Sequence, residues 1–194
     1  MSILVIAEHD NNNLKGSTFN TVTAASQLSG DVSLLIAGLN INSVVEEAQT
    51  IDGVNTIIKC DSENYANSVA EDLSELILSN CDGYTHILAP ATTFGKNLMP
   101  RISAKLDSQQ ISDIISVESD DTFKRPIYAG SCIATVKSND SVKIITVRST
   151  AFDAATTNNS GIEVSEITPG DTSGISKFVG CLLYTSPSPR DVST

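Results

Sequence analysis

Positively charged side chains are scarce in this sequence, and their scarcity argues against two classes of partner. The 194 residues include 12 Lys and Arg against 23 Asp and Glu, which gives a formal net charge of −11. Nucleic acids and anionic membrane surfaces are bound mainly through clusters of Lys and Arg. We therefore expect neither as the main partner, although an acidic composition alone does not identify another one.

A long apolar run and closely spaced cysteines are also missing. No apolar run approaches the ~20 residues that a membrane-spanning helix needs. The four cysteines are far apart and form no Cys-x-x-Cys motif, so we expect buried free thiols in a reducing compartment rather than a metal or redox cluster. The N-terminus enters an apolar segment at once without a basic leader. That start predicts no signal or transit peptide and a bacterial cytoplasmic location.

Recognisable nucleotide-binding and catalytic motifs are absent as well. The 11 glycines never form Gly-x-Gly-x-x-Gly or a Walker A sequence, which counts against a self-sufficient dinucleotide or triphosphate site. The chain has two histidines, and no nucleophile–base pair stands out, so we expect no independent enzyme activity. His9 lies between Glu8 and Asp10, and two interpretations are open for it. It is a general base or a ligand, or it is a loop residue at the end of a strand. His86 lies within a predicted strand, where we expect it to pack in the core.

What the sequence does contain is an alternation of short apolar runs with amphipathic helical segments. The apolar runs are residues 3–7, 32–37, 56–59 and 85–90. Continuous apolar strands separated by helices predict a parallel sheet that is covered on both faces. Ser17 is a candidate helix cap, and Ser43 with Glu46 forms a predicted capping box. The expected class is an α/β three-layer sandwich of the nucleotide-binding-like, adenine nucleotide α-hydrolase-like type.

The pattern changes after residue 110, where strand-like segments follow one short predicted helix at residues 97–106. Turn-forming residues 138–140 predict a hairpin between residues 127–136 and 142–147. We therefore expect antiparallel strands added at one edge of a mostly parallel sheet.

The chain divides into three predicted parts. Residues 1–150 form the α/β domain, and the turn-rich residues 151–180 form its end and an interdomain linker. Residues 181–194 resemble a translated sequencing adapter, so we predict that this tail is not native protein.

The loop formed by residues 90–96 is the best candidate for binding an anion or a nucleotide. Thr92, Thr93 and the backbone around Gly95 would contact the anion at a helix N-terminus, and Lys96 would add positive charge. The loop follows a predicted strand, and ligands of open α/β sheets lie at the carboxyl ends of strands. The alternative is that Thr92 or Thr93 caps the helix and that Lys96 is solvated.

The central part of the chain also concentrates basic residues. They are Lys96, Arg101, Lys105, Lys124 and Arg125, joined further along the chain by Arg148. This concentration predicts either an electropositive region that faces an acidic subunit or a cofactor phosphate, or scattered surface charges and salt bridges. Within residues 125–130, Gly130 predicts a bulge or a close backbone approach that can shape a subunit interface.

Five segments carry a family resemblance. They are Ile3-Leu-Val-Ile-Ala-Glu-His-Asp10, Phe94-Gly-Lys-Asn97, Ile111-Ser-Asp-Ile-Ile115, Arg125-Pro-Ile-Tyr-Ala-Gly130 and Thr146-Val-Arg-Ser-Thr-Ala-Phe-Asp153. In this order they resemble the N-terminal domain of the electron transfer flavoprotein α subunit, over residues 1–178. Two departures are Ser131, where the family commonly has Asn, and Cys132, where it has a small residue.

The resemblance implies part of an electron carrier rather than an enzyme. In this family the α subunit pairs with a β subunit that carries AMP, and FAD is bound mainly by an α C-terminal domain that we expect to be missing here. The complete protein carries electrons from acyl-CoA and related dehydrogenases of fatty acid β-oxidation to a membrane quinone reductase. The resemblance therefore implies a scaffold and subunit-contact role, with no FAD-contacting residue in this chain. The alternative is a stand-alone nucleotide-binding module that uses residues 90–96.

Overall fold

The computed structural model describes residues 1–180, so the predicted tail at residues 181–194 lies outside the described residues. Its main element is a seven-stranded sheet in which neighbouring strands are parallel. In spatial order the strands are β10 (Glu163–Glu166), β3 (Thr56–Asp61), β2 (Asp31–Gly38), β1 (Ser2–Ile6), β4 (His86–Pro90), β9 (Lys143–Val147) and β5 (Gln110–Ile114). The α-helices are α1 (Gly16–Ala25), α2 (Asn42–Ala48), α3 (Ala70–Ser79) and α4 (Thr93–Lys105).

The helices cover both faces of the sheet, as the apolar strands require. Along β1, Ile3 and Val5 pack on the face that α1 and α2 cover, whereas Leu4 and Ile6 pack on the face that α3 and α4 cover. Successive side chains of a strand point to opposite faces, so a strand buried on both sides must be apolar throughout. The predicted three-layer α/β class is confirmed.

The antiparallel strands form a second sheet of their own. It consists of β6 (Ser116–Ser119), β7 (Thr122–Ile127) and β8 (Cys132–Lys137) in that spatial order, and the fully buried Phe123 joins it to the core. The predicted hairpin between residues 127–136 and 142–147 is wrong, because β8 pairs with β7, and β9 pairs in parallel with β4 and β5. The reason is burial: Ile144, Ile145 and Val147 are completely buried, which suits a central parallel strand rather than an exposed hairpin.

Two predicted helix starts also differ from the structure. The predicted capping box in α2 is wrong, since no side chain caps this helix and Ser43 Oγ instead donates to the Asn12 carbonyl oxygen at 3.0 Å. Helix α4 begins at Thr93, four residues before the predicted start at residue 97, so Pro100 lies well inside the helix rather than in its first turn. The predicted start lies close to Pro100 because a proline, which has no N–H to donate, is best tolerated in the first turn of a helix. In the structure the helix extends one turn further back.

Residues 151–180 run back along the domain. In this segment β10 extends the sheet beside β3. Further on, the Gly170 N–H donates to Tyr65 Oη at 3.0 Å, and the Ser173 N–H donates to Asp72 Oδ1 at 2.6 Å. The segment that we predicted as domain end and linker thus contributes a strand and several hydrogen bonds to the fold.

Candidate functional site

The first candidate site is a crevice at the carboxyl edge of the sheet. Strands β1 and β4 are neighbours, and the helices that follow them, α1 and α4, pack on opposite faces. Such a point is a topological switch point, where open α/β sheets bind their ligands. Glu8 follows β1 here, and Thr92 follows β4.

The carboxylate of Glu8 lies between the starts of α1 and α4. Its Oε2 accepts one hydrogen bond from Ser17 Oγ at 2.8 Å and another from Thr92 Oγ1 at 2.9 Å. Ser17 is the second residue of α1, so its predicted role as the helix cap is wrong and its hydroxyl donates to Glu8 instead. In the sequence, Glu8 stands out only as a neighbour of His9. The available signal was an acidic residue directly after a buried strand.

Of the predicted anion-binding residues, Thr92 is the one that contacts this carboxylate. Thr92 is the N-cap residue of α4, but its side chain makes no capping bond, and Thr93 and Lys96 are exposed. Gly95 is buried where α4 approaches the end of β4, and a Cβ at this position would lie 1.9 Å from the Pro90 carbonyl oxygen. The nucleotide site stays a prediction, and a carboxylate hydrogen-bonded to Thr92 acts against it, because like charges repel.

Both histidine rings are held by hydrogen bonds within the domain. His9 Nδ1 accepts from the Asn11 N–H at 3.1 Å, and its Nε2–H donates to the Ala37 carbonyl oxygen at 3.1 Å. His86 is fully buried, and its Nε2–H donates to the Asp120 carbonyl oxygen at 2.7 Å. Burial lowers the pKa of both rings, against the opposing effect of these hydrogen bonds to carbonyl oxygens. His86 is therefore a core residue, as predicted. Both ring nitrogens of His9 already take part in hydrogen bonds within the domain.

Most of the predicted basic region is paired with carboxylates of the same domain. The ion pairs are Arg101–Glu71, Lys105–Glu75, Lys124–Glu118 and Arg148–Asp113. Among residues 1–180, Lys96 and Arg125 have no ion-pair partner. The pairing favours the alternative of local salt bridges over a continuous electropositive region.

The described cysteines are free thiols in two different environments. Cys60 and Cys81 are buried as expected, and burial raises the pKa of Cys60 to about 11 with a further contribution from Asp61. Cys132 is exposed, so the expectation of burial was wrong for this residue. Within the part of the chain that the structure describes, no group of three His, Cys, Asp or Glu side chains is arranged to hold a metal ion.

The second candidate site is the exposed end of the antiparallel sheet, formed by residues 126–133 and called the hairpin tip below. Tyr128 is 79% exposed and Ile133 is 62% exposed. Pro126 lies opposite Ile133 in the pairing of β7 with β8, so these side chains share one end and one face of the sheet. The hairpin tip therefore presents an aromatic and an aliphatic side chain to solvent, with the half-buried Pro126 beside Ile133, on an otherwise acidic chain.

The backbone of the hairpin tip has an unusual conformation. Tyr128, Ala129 and Gly130 are consecutive residues with left-handed φ angles of 49°, 54° and 91°. Glycine adopts this region readily, whereas Tyr and Ala rarely do. The predicted bulge or close backbone approach at Gly130 is wrong, because β7 and β8 pair without a register shift and a Cβ at Gly130 would meet no atom within 4 Å. Residues in sparsely populated backbone regions concentrate at functional contacts, which marks the tip as more than a connecting turn.

The sheet order and the crevice define an α/β domain of the nucleotide-binding-like class. The chain belongs to the electron transfer flavoprotein family, because a sequence profile described as "Electron transfer flavoprotein domain" matches residues 3–172. This match confirms the family that the sequence segments predicted.

Curated relatives support the same family. The α subunit of the electron transfer flavoprotein from Pseudomonas aeruginosa is 47% identical over 98% of this chain and 62% of its own length. The mitochondrial α subunit from Dictyostelium discoideum is 45% identical over 83% of this chain and 48% of its own length. The α subunit from Bradyrhizobium diazoefficiens is 44% identical over 98% of this chain and 60% of its own length. The present chain therefore spans about half to three-fifths of the relatives that it matches. Among residues 1–180, none of the helices has both the length and the hydropathy to cross a membrane.

Proposed function

We propose that this chain is the N-terminal scaffold domain of an electron transfer flavoprotein α subunit and that it contacts the β subunit. The proposal is supported by the family match and by α-subunit relatives that are longer than this chain. In the complete protein, FAD is bound by the remaining part of the α subunit, and AMP is bound by the β subunit. Electrons then pass from acyl-CoA and related dehydrogenases to a membrane quinone reductase, and the protein acts in the bacterial cytoplasm.

The hairpin tip is the observation that carries the subunit-contact role. Between residues 2 and 174 every other large apolar side chain is buried or half-buried, whereas Tyr128 and Ile133 are exposed. Exposed aromatic groups surrounded by polar side chains are typical of protein interfaces, where a few such residues supply most of the binding energy. The left-handed backbone fixes the turn, which reduces the entropy lost when a partner binds. We therefore assign the hairpin tip to the β-subunit interface.

The experiment is a binding titration of this chain against the β subunit of the Pseudomonas aeruginosa flavoprotein. Tyr128→Asn removes the ring but keeps a residue type that tolerates a left-handed φ angle. We expect this change to raise Kd at least about tenfold, as for the removal of an interface aromatic group. Ile175→Ser is the matched control, because Ile175 is 78% exposed but lies far along the chain from the tip. An unchanged Kd for Tyr128→Asn, or no complex at all, would contradict the assignment.

The two functions considered for the chain differ in what the isolated protein does. As a scaffold domain, it should be colourless after purification, because the flavin site belongs to another domain. As a stand-alone module using Thr92, Thr93, Gly95 and Lys96, it should bind AMP or ATP at micromolar concentration without a partner. Calorimetry with AMP and an absorbance spectrum separate these outcomes.

A further inference from the structure

The crevice between β1 and β4 has the layout of an anion site. Two helices, α1 and α4, begin at its rim from opposite faces of the sheet. A helix N-terminus carries unpaired N–H groups and a partial positive charge, so it stabilises a negative group nearby. In proteins with this layout the negative group is commonly a phosphate of the ligand.

In this chain a side chain supplies the negative group. One carboxylate oxygen of Glu8 accepts the hydroxyl of Ser17, in the first turn of α1, and the hydroxyl of Thr92, at the N-cap of α4. The donors belong to elements on opposite faces of the sheet, so the carboxylate bridges the two helix starts. Within residues 1–180 no Lys or Arg forms an ion pair with Glu8, and the bonds to it come from uncharged groups.

The main chain of Glu8 is also fixed. Its N–H donates to Thr18 Oγ1 at 2.9 Å, and its carbonyl oxygen accepts from the same hydroxyl at 3.0 Å. The Lys15 N–H donates to that carbonyl oxygen as well, at 2.9 Å. Because Thr18 is completely buried, the position of the Glu8 backbone is set by the core. The carboxylate therefore reaches Ser17 and Thr92 from a fixed point.

We propose that Glu8 is a built-in anion that fills the crevice, joins α1 to α4 and excludes anionic ligands. A phosphate placed on Thr92 would meet the carboxylate at hydrogen-bonding distance, where two like charges repel strongly. Glu8 thus acts as a specificity-determining residue: the crevice keeps the architecture of a nucleotide site but is closed to phosphate groups. This inference concerns the crevice alone and stands whether or not the hairpin tip binds the β subunit.

Chemical rescue with small anions tests this inference on the full 194-residue chain. Glu8→Ala should lower the unfolding temperature and leave two hydroxyl donors without an acceptor. Acetate or inorganic phosphate, compared with chloride at equal ionic strength, should then raise the unfolding temperature by about 2–4 °C more than in the parent. Glu46→Ala is the control, because Glu46 is an exposed glutamate of α2 that makes no described side-chain bond. It should respond to the anions as the parent does.

Two results would overturn the proposal. One is a parent chain that gains as much stability from acetate or phosphate as the Glu8→Ala chain. The other is a Glu8→Ala chain that is as stable as the parent and gains nothing specific from either anion. Glu8→Gln serves as a second variant, because it keeps the side-chain size if the alanine variant fails to fold. It too should be less stable than the parent and more responsive to phosphate, and an unchanged response would count against the role of the charge.

Discussion

Replacing Gly95 by alanine tests the close approach of α4 to β4. The change adds one methyl group, which would lie 1.9 Å from the Pro90 carbonyl oxygen and 3.1 Å from its carbonyl carbon. Both atoms belong to the backbone, so neither can rotate away. The start of α4 must move outward, and the packing of Leu98 and Met99 beneath it must change.

The expected loss follows from two opposing effects. Alanine in place of glycine within a helix normally stabilises a protein by about 0.5–1 kcal/mol. Forcing an extra carbon into a packed site costs about 1–3 kcal/mol. We therefore expect Gly95→Ala to lower the free energy of unfolding by ~1–2 kcal/mol, which corresponds to a fall of about 2–8 °C in Tm for a chain of this size.

Gly16→Ala provides the matched control. Gly16 is the first residue of α1, and a Cβ there would meet no atom within 4 Å. This variant should be as stable as the parent or slightly more stable, since only the gain from helix propensity remains. Urea unfolding of the three proteins measures both differences. Equal midpoints for Gly95→Ala and the parent would refute the close approach, and with it the view that Gly95 serves packing.

Two further predictions concern titratable groups. Because burial holds the pKa of His9 and His86 below the ordinary value of about 6.5, the unfolded chain binds more protons than the folded chain in mildly acidic solution. The free energy of unfolding should therefore be highest above about pH 6.5 and should decrease as the pH is lowered from there. His86→Gln should make this decrease less steep, and an equally steep decrease would contradict the prediction. With Cys181 replaced by serine, a thiol reagent should modify Cys132 quickly and Cys60 slowly, since only the former is exposed. A fast reaction that persists after Cys132→Ser would show that this difference is wrong.

The parallel core was predictable because its signal is local. Each central strand is a continuous apolar run, and residues such as Leu4 and Val5 must both be buried whatever the partner strands are. The position of β9 was not predictable from the turn at residues 138–140. That turn suggested a hairpin, whereas the burial of Ile144 and Ile145 on both faces decided the pairing.

The candidate site was predictable only in part. The strand-to-helix loop containing Thr92 could be found from its place after a buried strand. Its contact with Glu8 could not, because the two residues are 84 positions apart and meet only once β1 lies beside β4. The capping box failed for a similar reason, since the Ser43 hydroxyl donates to Asn12, in a distant loop, rather than to its own helix.

The insertion of β9 between β4 and β5 has a consequence for synthesis of the chain. Translation delivers β4 and β5 well before β9, yet β9 pairs with both of them. Until residue 147 has left the ribosome, β4 therefore has an open edge although its residues are all destined for the core. An unpaired apolar edge invites pairing with the wrong strand or with another chain. We therefore expect more aggregation of the nascent chain when the ribosome pauses before β9 than when it pauses after residue 147 has emerged.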